Sequence, residues 1–244
     1  MRWLASVAFS CLIVTSAAAQ KPTIVLIHGA FADASSWSKV IPILLDDGYT
    51  VSAVQIPLTS LPDDVATTKR FLESIKGPFV LVGHSYGGAV ITDAGAGNPH
   101  LKSLVYVAAF APDAGEPLTE PANNFPQPDL NAALSPDSAG FLFVDRSKFR
   151  DAFCKDLPAS DARIAAATQK PVHGSVFTAK VNAAAWKDVP SWYIVSTEDH
   201  AINPDLERFY AKRINAKKTE IKSSHVPFLS HPKQVASVIE AAAR

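Results

Sequence analysis

Pro78 to Ala89 reads P-F-V-L-V-G-H-S-Y-G-G-A, and the fold turns on this stretch. An apolar, β-branched run from Phe79 to Val82 is joined to a small-residue segment, Ala89 to Ala96, through Gly83-His84-Ser85-Tyr86-Gly87. A G-x-S-x-G pentapeptide between a strand and a helix is the signature of a turn that lifts its serine above a sheet. The glycines belong there because the flanking backbones approach too closely for a Cβ. Ser85 is the candidate nucleophile. The helix that follows opens with free N–H groups, and the Tyr86 N–H is placed to donate to a developing oxyanion.

Working outward, Thr23 to Ile27 is too apolar to be half exposed and predicts a central strand covered on both faces. It breaks at His28-Gly29-Ala30-Phe31, a loop near the carboxyl end of the strand. In folds with such a serine turn the second oxyanion donor comes from this loop. Ala30 N–H is the candidate donor, and Phe31 and His84 are the candidate substrate-binding residues. His28 reads as a structural hydrogen-bonding residue. Asp33 or Ser35 caps a helix to about Asp47, with Pro42 placed to kink it and Gly48 to stop it. Tyr49 to Ile56 predicts a strand, Asp63 to Lys76 a helix and Leu101 to Ala109 another buried strand. Strand and helix alternate with short links, the rhythm of a parallel sheet with right-handed crossovers.

From Phe110 to about Asp188 prolines become frequent and the segments are short and helix-leaning, as at 145–156 and 160–168. An insertion placed after a strand of a parallel sheet lies over the edge where ligands bind, so residues 110–188 are expected to form a lid. Sheet rhythm resumes at Ser191 to Ser196, followed by a helix at 204–214, a short strand at 218–222 and a closing helix at 232–243.

A serine hydroxyl needs a base, and an imidazole base needs a carboxylate to fix its tautomer. In this chain order the acid and the histidine should leave later strands. Asp199 follows the strand ending at Ser196, with Glu198 its nearest competitor, and His225 follows the last strand. His100 and His173 lie at loop or lid positions, His200 adjoins the acid and His231 opens the last helix.

The loop H-G-A-F at 28–31, G-H-S-Y-G-G at 83–88, the D-H after V-S-T-E and the turn S-S-H-V together resemble the α/β-hydrolase superfamily across residues 20–244. The likeness is to the small-lid branch of carboxylesterases, plant methyl-ester hydrolases and hydroxynitrile lyases. It implies an α/β fold with a mostly parallel sheet, helices on both faces and a lid. It also implies a Ser85, His225 and Asp199 triad with no cofactor and no metal. The lyases of that branch carry a hydroxyl-bearing residue after the first-loop histidine and a lysine after the catalytic one. Gly29 and Val226 stand there instead, which argues against lyase chemistry. An elbow serine likewise argues against the epoxide hydrolases and dehalogenases that use aspartate. The expectation is an ester hydrolase for small or medium, mostly uncharged substrates. Lactonase, amidase or perhydrolase activity with the same triad, or small-molecule binding without turnover, are the alternatives.

Composition agrees with one domain: 244 residues, 48% hydrophobic, with 23 basic and 23 acidic side chains. Balanced charge gives no support for nucleic acid as a partner. The first nineteen residues carry one basic residue, an apolar run and a small-residue A-x-A site, the pattern of a secretory signal peptide cleaved after Ala19. A secreted or periplasmic protein without stable membrane insertion follows, with Cys154 as its single cysteine, expected to be a buried small hydrophobe.

Overall fold

A computed structural model describes residues 21–244. The proposed signal peptide lies outside the described residues.

Six strands form one parallel sheet: β1 (Thr23–Ile27), β2 (Val51–Val54), β3 (Phe79–His84), β4 (Leu101–Val107) and, after the lid, Ser191–Ser196 and Lys217–Ile221. Ile24 through Ile27, Phe79 through Val82 and Leu104 through Val107 are all buried, as continuous apolar strands must be when both faces are covered. Fully burying one such aliphatic side chain contributes about 1.5–3 kcal/mol. The register Leu26 to Val82 and Val82 to Val105 brings the carboxyl ends of β1, β3 and β4 to one edge.

Between β1 and β2 the expected single helix is two pieces, a 3₁₀ turn at Ala34–Lys39 capped by the Asp33 carboxylate and α1 (Ile41–Asp46). Pro42 lacks an N–H and its ring crowds the carbonyl four residues back, so a continuous helix cannot pass it. The break leaves Leu45 51% exposed. Gly48 ends the unit at φ +77°. Next comes α2 (Leu61–Leu72), which starts two residues earlier than expected because Ser60 accepts from the Asp63 N–H. The elbow helix α3 (Gly87–Ala94) packs against α2.

The segment expected to form a lid contains α4 (Thr119–Ala122), β5 (Leu134–Pro136), β6 (Phe141–Val144), α5 (Phe149–Phe153), α6 (Ala159–Thr168) and β7 (Val172–His173). Its three strands pair antiparallel into a small separate sheet, β5-β6-β7, where the sequence predicted only short helix-leaning segments. Two to four residues are too few to show a strand's alternation.

The main sheet then closes with β8 (Ser191–Ser196) and β9 (Lys217–Ile221), linked by α7 (Pro204–Arg213). The strand order is β2-β1-β3-β4-β8-β9. A short α8 (Pro227–Ser230) leads into α9 (Pro232–Ala243), which packs on α1 and on β3, β4 and β8. No helix among the described residues is long and apolar enough to cross a membrane.

Candidate active site

Ser85 sits where β3 turns into α3, at φ +53°. A left-handed serine costs roughly 1–3 kcal/mol, and such strain persists only where the surroundings impose it. Here they do. A Cβ on Gly83 would come within 2.6 Å of the Gly87 carbonyl oxygen, so strand and helix cross at backbone contact. The Ser85 N–H donates to the Val107 carbonyl at 3.2 Å, while its own carbonyl accepts from Gly88 and Phe110. The backbone is thereby fixed, and the side chain faces a cavity over the sheet.

That cavity, about 260 Å³, is bounded below by Ser85, Ala30 and Phe31 and above by lid residues that include Leu118, Phe153 and Phe177. Its polar contribution comes from Thr119 and from amides such as Asn123, Gln127 and Asn203, and no charged side chain lines it. A second cavity of about 260 Å³ lies beyond Phe31 and Phe153, which line both. The two rings meet edge to face at 6.4 Å.

Asp199 and His225 meet as the sequence predicted. The His225 Nδ1–H donates to Asp199 Oδ2 at 2.5 Å, with both residues buried. The other carboxylate oxygen accepts from the Ala201 and Ile202 N–H groups at 2.6 and 3.0 Å. These bonds hold the carboxylate plane, which fixes the imidazole tautomer and leaves Nε2 as the free base. Nε2 is buried and has no hydrogen-bond partner among the described residues, the Ser85 hydroxyl included. Phe153 covers the His225 ring edge to face at 4.9 Å. The loop bearing His225 is tied to the lid by the Ser224 hydroxyl, which donates to Asp156.

The competing residues fall elsewhere. Glu198 is exposed and faces Lys222 at 3.5 Å. His200 pairs with Asp129, and Asp205 with Arg208. His28 is structural: Nε2 accepts from the Ile56 N–H at 3.2 Å and Nδ1 donates to the Gly29 carbonyl at 2.9 Å. Burial lowers its pKa to about 4, so it stays neutral. The N–H groups of Ala30 and Tyr86 have no acceptor among the described residues; Ala30 lines the cavity with Ser85, and Tyr86 follows Ser85 in the chain.

Phe31 lines the cavity, but His84 does not, and its assignment to substrate binding is corrected. The His84 ring is wholly buried among Trp37, Phe153, His225 and Phe228.

Two carboxyl groups escaped the sequence reading. Asp64 of α2 accepts from the Tyr86 hydroxyl and from the Leu58 N–H, each at 2.7 Å. Glu207 of α7 is fully buried and accepts from the Ser196 N–H at 2.9 Å. Burial, and then the neighbouring Asp199 carboxylate, push its pKa well above the usual range, so it is held as the neutral acid. Both residues occur within the apolar stripes of their helices, beside Leu61, Val65 and Thr68 in one and Leu206 and Tyr210 in the other. An acid in a buried stripe was the available signal. Cys154 caps α5, buried, with its thiol pushed up to about 12 by burial. No cluster of metal-ligating side chains occurs among the described residues.

Known proteins resemble this chain along most of its length. A hydrolase of Aspergillus novofumigatus, nvfD, is 27% identical over 91% of this chain and 97% of its own. Polyneuridine aldehyde esterase of Rauvolfia serpentina is 24% identical over 89% of this chain and 94% of its own. The crystal structure of a pyrethroid hydrolase from Sphingobium faniae superposes with a TM-score of 0.76, at 22% identity, over 91% of this chain and 97% of that one. Residues 24–238 match the alpha/beta hydrolase family, to which this chain therefore belongs, with esterases among its relatives.

Proposed function

We propose that the protein is a serine hydrolase that cleaves carboxylic esters of small or medium, mostly uncharged substrates through an acyl-enzyme. The observation that carries this reading is the buried His225–Asp199 pair, with Nε2 unpartnered and the imidazole 4.6 Å from the His84 ring of a serine turn held in left-handed backbone. In the reaction Ser85 Oγ attacks the ester carbonyl as His225 Nε2 takes its proton. The carbonyl oxygen becomes an oxyanion held by the Ala30 and Tyr86 N–H groups. His225 returns the proton to the departing alcohol oxygen, leaving the acyl group on Ser85. Water, deprotonated by the same imidazole, then releases the acid and restores the serine. Hydrogen bonds between nucleophile and base commonly tighten only when substrate is bound.

A cavity with amide and hydroxyl groups but no charged lining side chain supports uncharged substrates, since a buried ion there would lack a partner. Esterases among the relatives support the leaving-group class. The N-terminal segment supports a secreted or periplasmic address. N-terminal sequencing of exported protein should begin at Gln20.

The test is a panel of short-chain p-nitrophenyl esters set against matched lactones and amides, with fluorophosphonate labelling alongside. Ester turnover and labelling that both vanish in Ser85→Ala are expected. Turnover that survives the substitution, or none in wild type, rejects the reading.

A further inference from the structure

Ile56 to Leu58, the segment after β2, is linked through the His28 and Asp64 side chains to the two loops that carry the proposed oxyanion donors, and directly to residues 170–173 above. Its N–H groups point inward. Ile56 N–H donates to His28, whose ring also holds the Gly29 carbonyl just before Ala30. Leu58 N–H donates to Asp64 Oδ1, and the other oxygen of that carboxylate accepts from the Tyr86 hydroxyl. Its carbonyls point outward. Leu58 accepts from the His173 N–H of β7 at 2.9 Å, and Ile56 accepts from the Lys170 ammonium. Leu58 itself is left-handed, at φ +63°, a conformation an aliphatic residue keeps only when its neighbours impose it.

We propose that Asp64 is a positioning residue for the oxyanion hole. By gripping the Tyr86 hydroxyl and the Leu58 turn together, its carboxylate sets the Tyr86 N–H and registers the lid against it. This rests on the hydrolase reading above.

Two considerations favour such a role over simple packing. Asp64 is 0% exposed and its hydrogen bonds run to the residue after the nucleophile, not to a remote helix end. A buried carboxylate is also an expensive way to hold a tyrosine. Burial pushes the Asp64 carboxyl up to about 6, against the opposing pull of Tyr86, the Leu58 N–H and Lys170, with Asp63 the nearby like charge. A group whose folded pKa is raised contributes stability below its unfolded value and loses it as pH rises through about 6. At neutral pH the ionised form therefore works against folding, and a group kept for stability alone would be neutral.

The test compares full-length wild type, Asp64→Asn, Tyr86→Phe and the double variant on a p-nitrophenyl ester. Active sites are counted with a fluorophosphonate, and inhibition by an alkyl boronic acid is measured in parallel. Because a small misplacement of a transition-state donor acts on the chemical step, kcat should fall roughly 10- to 100-fold with KM little changed. Boronate affinity should fall with it. The double variant should be no slower than the slower single one, since both act through one contact. At pH 7.5 the Tm of Asp64→Asn should equal or exceed that of wild type. Unchanged kcat per active site, a loss confined to KM or to Tm, or losses that multiply would each overturn the inference. A wild type without ester turnover removes the hydrolase reading and this inference together, whereas an active wild type matched by Asp64→Asn removes this inference alone.

Discussion

His84 holds the backbone carbonyl of His225 through its Nε2–H at 2.9 Å, with the two rings 4.6 Å apart. The residue before the proposed nucleophile thus fixes the main chain of the proposed base, across 141 positions of sequence. Nδ1 of His84 is buried without a partner, so the ring is a neutral donor. Burial, helped by the nearby His225, holds its pKa well below the usual histidine range.

His84→Leu removes that donor and leaves a buried carbonyl unpaired, a loss of about 1–3 kcal/mol. The sign of the pH effect follows from the lowered pKa. The unfolded chain protonates this ring near pH 6.5 and the folded chain does not. The His84 contribution is therefore full above about 6.5 and declines as pH falls below it. Calorimetry of wild type and variant should show a larger Tm gap at pH 8 than at pH 5, and kcat should drop in the variant at either pH. Equal gaps would mean that His84 is not held neutral.

Glu207 makes the opposite prediction. Its pKa is raised in the folded state, so its contribution is present below the ordinary glutamate value and is lost as pH rises above it. Glu207→Gln keeps an acceptor for the Ser196 N–H and cannot ionise. The variant should match wild type in stability at pH 4 and exceed it at pH 8, read by denaturant midpoints at the two values. A variant less stable at pH 8 would show that Glu207 is ionised behind Asp199.

Cys154 should be chemically silent in the native protein. It is 1% exposed, and burial pushes its thiol up to about 12, so almost no thiolate exists at neutral pH. Incubation with iodoacetamide, followed by mass spectrometry of the peptide carrying Cys154, should show alkylation only after denaturation. Rapid native labelling would place the lid helix α5 in a locally open state.

Much of this was legible in the chain because it is written in continuous apolar runs and in one tight turn. Ser191 to Ser196 and Pro232 to Ala243 match their predicted bounds, and Asp199 and His225 meet as their order after late strands required. What escaped was local where the sequence is averaged. The lid strands are too short to alternate, and Pro42 divides an apolar stripe that otherwise reads as one helix. His84 was misplaced because adjacency to Ser85 in the motif does not fix where its ring goes, and that ring packs inward against Trp37 and Phe228. Asp64 and Glu207 read as ordinary polar positions until their helices are seen to bury them.

The glycine crossing beneath Ser85 has a consequence for how such a protein can change. A Cβ at position 29 would meet the Ser85 Cβ at 2.7 Å, and one at position 83 would strike the Gly87 carbonyl, so neither position can drift without dislodging the serine. New substrate preferences must then arise in the proline-rich cover, away from Asp156 and His173, the points at which it is fastened to the floor. Libraries aimed at altered selectivity are best confined to that upper storey.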